Sequence, residues 1–286
     1  MSALPKISVV TPCFNSMHTI RETIESVRQQ NYLNVEHIVM DGGSKDGTLD
    51  ILKAYPHLKS ISEKDQGHFD AMNKGVACAT GDLIVILNAD DCFRPGVLKK
   101  VAMAFQAHPE WDALFADVIY VDAEGREIYR REEAVYDYDV VRYALDYVCH
   151  QTLFVKRAVY ERIGNYRQQE FLTAADYEFK LRMGKLGCRI GHLPEYVVNF
   201  RYHSRGLSAD KRVLRNTSHE MAVIRREYGN AGGWRGKLLS VCFKAKRQFQ
   251  KLCRRGKVDL IPGTWILRRH YVDKAQISSN SGVDKL

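Results

Sequence analysis

Two adjacent carboxylates, Asp90 and Asp91, stand just beyond the apolar run Leu83 to Leu87. Such a run reads as a buried strand, and ligands in α/β proteins bind at the carboxyl ends of strands. Paired acids there suit a divalent cation, which takes oxygen ligands and neutralises a diphosphate. The bland alternative is that one of them caps the helix that starts near Val97. Further acids sit in three polar segments: Asp41-Gly42-Gly43-Ser44-Lys45-Asp46-Gly47-Thr48, Glu63-Lys64-Asp65-Gln66-Gly67, and Asp176-Tyr177-Glu178-Phe179. Together they point to chemistry on a phosphate-bearing donor.

The elements that must position these acids alternate between strand and helix. Ile7 to Thr11 reads as a strand stopped by Pro12. Thr19 and Glu22 are spaced as a capping box, and Ile20, Thr23, Ile24 and Val27 recur on one helical face. Val35 to Met40 is a second strand, Leu58 to Ile61 a third, and Leu83 to Leu87 a fourth. Phe69, Met72, Val76 and Ala79 form a helical stripe between the last two. Strand–helix repeats with short loops imply an α/β fold, a mostly parallel Rossmann-like central sheet flanked by helices. Its post-strand loops then converge on one crevice, although Asn15, Asp41, Asp65 and Asp91 lie far apart in the chain. Pro12-Cys13-Phe14-Asn15 replaces any G-x-G-x-x-G turn, and no Walker loop occurs. Later signals are weaker. A helix is expected at 97–105, a strand at 113–121 turning into a hairpin at 127–130, a strand within 148–155, a helix from about 175 to 183, and a strand at 196–202.

These motifs, in order and at these spacings, resemble a family 2 glycosyltransferase with the GT-A fold. The carrying segments are Val9 to Asn15, Asp41 to Thr48, Glu63 to Gly67, Asp70-Ala71-Met72-Asn73-Lys74-Gly75, Leu87 to Asp91 and, more weakly, Asp176 to Arg182. The likeness covers roughly residues 5 to 205. Its pattern is that of bacterial exopolysaccharide, capsule or lipopolysaccharide biosynthesis. It implies an inverting transfer from a nucleoside-diphosphate sugar, with Mn²⁺ or Mg²⁺ as cofactor. A UDP-sugar is favoured and a GDP-sugar possible, and the acceptor would be a saccharide or a polyprenyl-linked sugar.

By that resemblance Asp91 contacts the metal, with Asp90 beside it on metal, water or ribose. Asp41 holds the base or ribose, although many relatives carry two acids where this chain has Asp41-Gly42; the alternative is a loop-shaping turn. Thr11, Pro12 and Asn15 line the base pocket. Asp65 and Gly67 lie beside ribose or diphosphate, Lys74 near the donor, and His68 against the donor sugar. Asp46 shapes its own turn. Asp176 is the general base, since an acceptor hydroxyl attacks better when a carboxylate takes its proton; as a helix-start acid it has a plainer reading too. Relatives often have Glu-Asp there, whereas Ala175 precedes Asp176 here. His150 and Gln151 precede one strand-like run, and His203, a candidate at the metal-bound diphosphate, follows another.

The 286 residues suffice for one large core with an appendage. The expected division is a catalytic domain at 1–215, with a nucleotide-sugar half to about 120 and an acceptor half beyond it. A basic helical extension at 216–275 and a disordered tail at 276–286 follow. The seven cysteines include no C-x-x-C, which speaks for a reducing compartment. Neither a secretory leader nor a membrane span is expected. The net charge of +9 is matched by the nine lysines and arginines between Arg235 and Lys257, where no acid occurs. Leu238, Cys242, Ala245, Phe249 and Leu252 make an apolar stripe along the same helix. This predicts peripheral attachment to an anionic membrane on the cytoplasmic side, with Trp265, Ile266 and Leu267 between basic residues as a second contact. A helix packed on the catalytic domain with a solvated basic face is the alternative. Nucleic acid is not an expected partner, for no recognised module accompanies the charge. Two other classes compete: a sugar nucleotidyltransferase, which would need a glycine-rich phosphate loop after the first strand, and a non-catalytic membrane-associated carbohydrate-binding or scaffold protein.

Overall fold

Strand β1 (Ile7–Cys13) points Ile7 and Val9 to one side of a sheet and Val10 to the other, so both faces are covered by apolar layers. The computed structural model describes residues 4–203, 206, 210–229 and 232–256. Helices α1 (Ile20–Arg28), α2 (Thr48–Lys53) and α3 (His68–Cys78) connect β1, β2 (Val35–Asp41), β3 (Lys59–Ser62) and β4 (Leu83–Ile86). These four strands are parallel, in the order β3-β2-β1-β4. β5 (Cys92–Phe93), α4 (Val97–Ala107), β6 (Ala113–Val121), β7 (Glu127–Arg131) and α5 (Tyr138–Tyr143) follow. Next come a 3-10 turn at His150–Thr152, β8 (Phe154–Lys156), α6 (Arg157–Ile163), α7 (Ala175–Lys185) and β9 (Ile190–Arg201). The last described elements are α8 (Lys211–Glu227) and α9 (Gly233–Arg255).

The sheet continues from β4 through β8, β6, β9 and β5, with β7 on β6 as the expected hairpin. It is mixed beyond β4. β8 lies antiparallel between β4 and β6, and β5 is antiparallel to β9. Helical crossovers keep strands parallel, whereas short non-helical connections reverse them.

Two local expectations change. β1 runs through Pro12 to Cys13 and does not stop before it. The Val10 carbonyl faces β4, accepting from Leu87, and the Cys13 carbonyl faces β2, accepting from Gly42. By strand alternation Pro12 faces the β4 side, but β4 pairs only as far as Val10, so no ladder bond is lost. The capping box does not form either. Thr19 makes no side-chain cap, and Glu22 instead reaches Arg201 at the end of β9.

Phe69, Met72 and Val76 of α3 pack over Val10, Ile38, Ile84 and Ile86. Gly75 permits this close approach: a Cβ there would lie 2.3 Å from Val10 Cγ1. Gly75→Val is therefore expected to destabilise the fold by about 2–3 kcal/mol through overpacking. Urea unfolding measures this, and an unchanged midpoint would refute the packing account.

The boundary expected at 215 falls inside α8, which buries Ile224 in the main core, with Tyr228 just beyond its end. Residues 257 to 286, including Trp265, Ile266, Leu267 and the expected disordered tail, lie outside the described residues.

Candidate active site

The loops after β1, β2, β3 and β4 open on one edge, as the parallel order requires. Asn15, held at φ 48°, ties two of them: its backbone N–H donates to Ser44 Oγ at 2.7 Å and its Oδ1 accepts from Lys45 N at 3.0 Å. Asp46 shapes the same loop, accepting from Thr48 N and Met17 N at 3.0 Å each. Thr11 is buried with its hydroxyl on His37 Nε2 at 2.9 Å, so its side chain belongs to the interior. Pro12 is buried beside it.

Asp41 is buried and spends its carboxylate on its own loop. Oδ2 accepts from Gly43 N and Ser44 N at 3.0 Å and from Ser62 Oγ at 2.6 Å, and Oδ1 accepts from Ser44 Oγ. This is the turn-shaping arrangement. The space that a second acid would occupy is taken by Asp65: a Cβ on Gly42 would meet Asp65 Oδ2 at 2.3 Å. Asp65 Oδ1 accepts from Gly67 N at 3.0 Å, fixing the turn into α3 where Gly67 sits at φ 115°. Lys74 pairs with Glu63 at 2.8 Å and Asp70 at 3.1 Å, on the outer side of that turn.

The paired carboxylates after β4 point to different places. Asp91 is buried, with Oδ2 accepting from Gln151 Nε2 and Oδ1 from Arg201 N, both at 2.8 Å. Burial, then the charge of Asp90, push its pKa well above the usual carboxylate range. Asp90 is more open and meets His203 Nε2 through Oδ2 at 3.0 Å. Arg201 also donates to the Asp90 carbonyl at 3.1 Å and to the Ala123 carbonyl at 2.6 Å. The free edge of the pair is thus Asp90 with His203, and Asp91 anchors the loop beneath. Among the described residues no three His, Cys, Asp or Glu side chains cluster as a complete metal cage would need. One carboxylate and one imidazole do fit a cation that takes its remaining oxygens from phosphate and water.

Asp176 starts α7 and lies 3.0 Å from Lys180 Nζ and 3.6 Å from His150 Nδ1. Lys180 is buried, and its ammonium also bonds Asp146 Oδ2 at 2.5 Å and the Val148 carbonyl at 2.9 Å. Burial alone would raise the Asp176 pKa. Lys180 and His150 outweigh it and hold the carboxyl far below its ordinary range. His68, at the start of α3, is pushed down to about 4, first by burial and then by His150. It is therefore neutral near pH 7. Glu220 of α8 accepts from the backbone N–H groups of Leu172, Thr173 and Ala174, which fixes the chain entering α7.

The 3-10 turn joins the two clusters: Gln151 grips Asp91 while its neighbour His150 faces Asp176. A family model described as Glycosyl transferase family 2 matches residues 8–233. The chain belongs to glycosyl transferase family 2. Over 186 residues it is 32% identical to the PGL/p-HBAD biosynthesis glycosyltransferase of Mycobacterium bovis, covering 63% of this chain and 70% of that one. Its fold resembles the mannosyltransferase PcManGT from Pyrobaculum calidifontis, solved in complex with GDP-Man and Mn²⁺. That match has a TM-score of 0.60 and 18% identity, over 100% of this chain and 77% of that one. It also resembles S. aureus TarS 1-349 in complex with UDP-GlcNAc, with a TM-score of 0.58 and 17% identity, over 86% and 81% of the two chains. At these identities the two structures speak for a shared GT-A-like fold.

Sequence reasoning did not assign roles to Lys180, Asp146, Arg201 or Glu220. Arg201 had one visible signal, its place at the end of a strand two residues before His203. Lys180 had one too, standing four residues after Asp176 on the same helix, whereas Asp146 and Glu220 find their partners in distant segments and leave no local pattern.

Proposed function

We propose that this glycosyltransferase catalyses an inverting transfer from a nucleoside-diphosphate sugar to a hydroxyl of a saccharide or polyprenyl-linked acceptor. The observation that carries the proposal is the turn His150–Thr152, in which Gln151 holds Asp91, the neighbour of the Asp90–His203 pair, while His150 faces Asp176. Asp90 and His203 would hold Mn²⁺ or Mg²⁺, which supplies positive charge against the departing diphosphate. Asp176 takes the acceptor proton as the hydroxyl oxygen attacks the anomeric carbon and the bond to the diphosphate oxygen breaks. Lys180 and Asp146 keep the base in place. The Asn15–Ser44–Asp41 loop, shaped by its own hydrogen bonds, forms the floor of the base pocket. Asp65, lying over Gly42, is assigned to the ribose, and His68 to the sugar. We place the enzyme at the cytoplasmic face of an anionic membrane, where a polyprenyl-linked acceptor is presented.

UDP is the favoured donor nucleotide and GDP the alternative, the nucleotide of the GDP-Man complex of PcManGT. Calorimetric titration with UDP and with GDP, each with and without Mn²⁺, tests the reading. Binding of one nucleotide that depends on the metal is expected. Absence of binding in all four titrations would refute it.

A further inference from the structure

Helix α9 is docked with its sides reversed. Its inward face is ionic. Arg247 Nη2 donates to both carboxylate oxygens of Glu133 at 2.7 and 2.6 Å, Lys246 pairs with Asp137 at 2.7 Å, and Arg255 reaches Asp117 Oδ2 at 2.5 Å. Gln250 adds a hydrogen bond to Asp137 at 2.8 Å, and Phe243 stacks on Tyr143 of α5. Glu133 and Asp137 belong to the acceptor half and Asp117 to β6 just before it, so these three cations, expected to face lipid headgroups, instead fasten the helix to the protein. The apolar stripe looks outward: Trp234, Leu238, Val241, Phe249 and Leu252 are 71, 56, 64, 66 and 50% exposed. At 100° per residue these five fall on an arc of roughly 80°. Arg235 lies on one flank of that arc and Lys237 and Lys244 on the other, all exposed. No acid occurs anywhere in α9.

A contiguous apolar face of this size marks an interaction site. Cations along both flanks and an absence of acids select an anionic partner with an apolar layer beneath its charge, which is a lipid surface. Among the described residues no helix is long and apolar enough to cross a membrane. We infer that the outer face of α9 is the membrane-binding surface, and that its ionic clamp turns the acceptor half of the enzyme toward the lipid. This deepens the membrane placement proposed above, yet vesicle binding requires neither donor nor acceptor and can fail while metal-dependent nucleotide binding stands.

The test is co-sedimentation of the full chain with vesicles of phosphatidylcholine containing about a third phosphatidylglycerol, and with phosphatidylcholine alone. Binding to the anionic vesicles is expected, weakened by salt. The double variant Leu238→Glu/Phe249→Glu should lower partitioning by at least about tenfold, because two apolar side chains no longer leave water. Both side chains are exposed, so thermal unfolding should be unchanged. Lys237→Gln/Lys244→Gln should weaken binding to anionic vesicles while keeping the apolar row. No sedimentation, or sedimentation insensitive to both variants, would overturn the inference. So would a dimer in gel filtration that the glutamate variant disperses, since the face would then bind a second copy.

Discussion

Asp90→Asn is expected to abolish the metal dependence of nucleotide binding without changing the melting temperature. Asp90 is the carboxylate left open at the end of β4, and its only described side-chain partner is His203. The neutral amide is nearly isosteric, so the loop should keep its shape, but the charge that attracts a cation is gone. A loss of about 3 kcal/mol in metal-assisted donor binding, roughly a hundredfold, is a reasonable scale for removing one anionic ligand. Asp91→Ala should behave differently. It leaves Gln151 Nε2 and Arg201 N–H without their acceptor inside the protein. Each orphaned donor costs about 1–3 kcal/mol, so a fall in stability should precede any effect on the metal. Calorimetry with and without Mn²⁺, paired with thermal unfolding, separates the two. If Asp91→Ala kept its stability and lost only the metal response, the division between these neighbours would be reversed.

That division shows where sequence reading stops. The four parallel strands, the loops that follow them and the acids in those loops were legible, because alternation, glycines and turn residues act locally. Which of two consecutive acids turns inward was not legible. Gln151 and Arg201 choose it, and they arrive from 60 and 110 residues away. Asp41 has the same history: the sequence showed a single acid before Gly42, while Asp65 fills the space over that glycine from another loop. The antiparallel β8 is three residues long and carries no period of its own. In the tail the helix and its outward apolar stripe were legible, but not the inward turn of Lys246, Arg247 and Arg255. Asp117, Glu133 and Asp137 draw the cations inward, and they are scattered through β6 and the segment before α5.

Asp176→Asn should retain nucleotide binding and lose transfer by about 10²–10⁴-fold, the usual contribution of a positioned general base. Asparagine cannot accept the acceptor's proton, and Asp90 and His203 are untouched by the change. Lys180 sharpens the expectation. With its ammonium 3.0 Å away, the Asp176 carboxylate is ionised throughout the working range, so Asp176 should impose no acid limb on kcat/KM near neutral pH. The linkage has a definite sign. A carboxyl whose folded pKa is depressed adds stability above its unfolded value of about 3.9, and that stability is lost as pH falls through the folded value. Lys180→Met removes the cation, so the Asp176 pKa must rise and an acid limb should enter the rate profile. It should also destabilise the fold by about 3–5 kcal/mol, because Asp146 and Asp176 lose a buried partner. A pH profile unchanged in Lys180→Met, measured on protein shown to be folded, would mean that Asp176 is not the group that takes the proton. His150, 3.6 Å away on the same turn that carries Gln151, would then be the next base to remove.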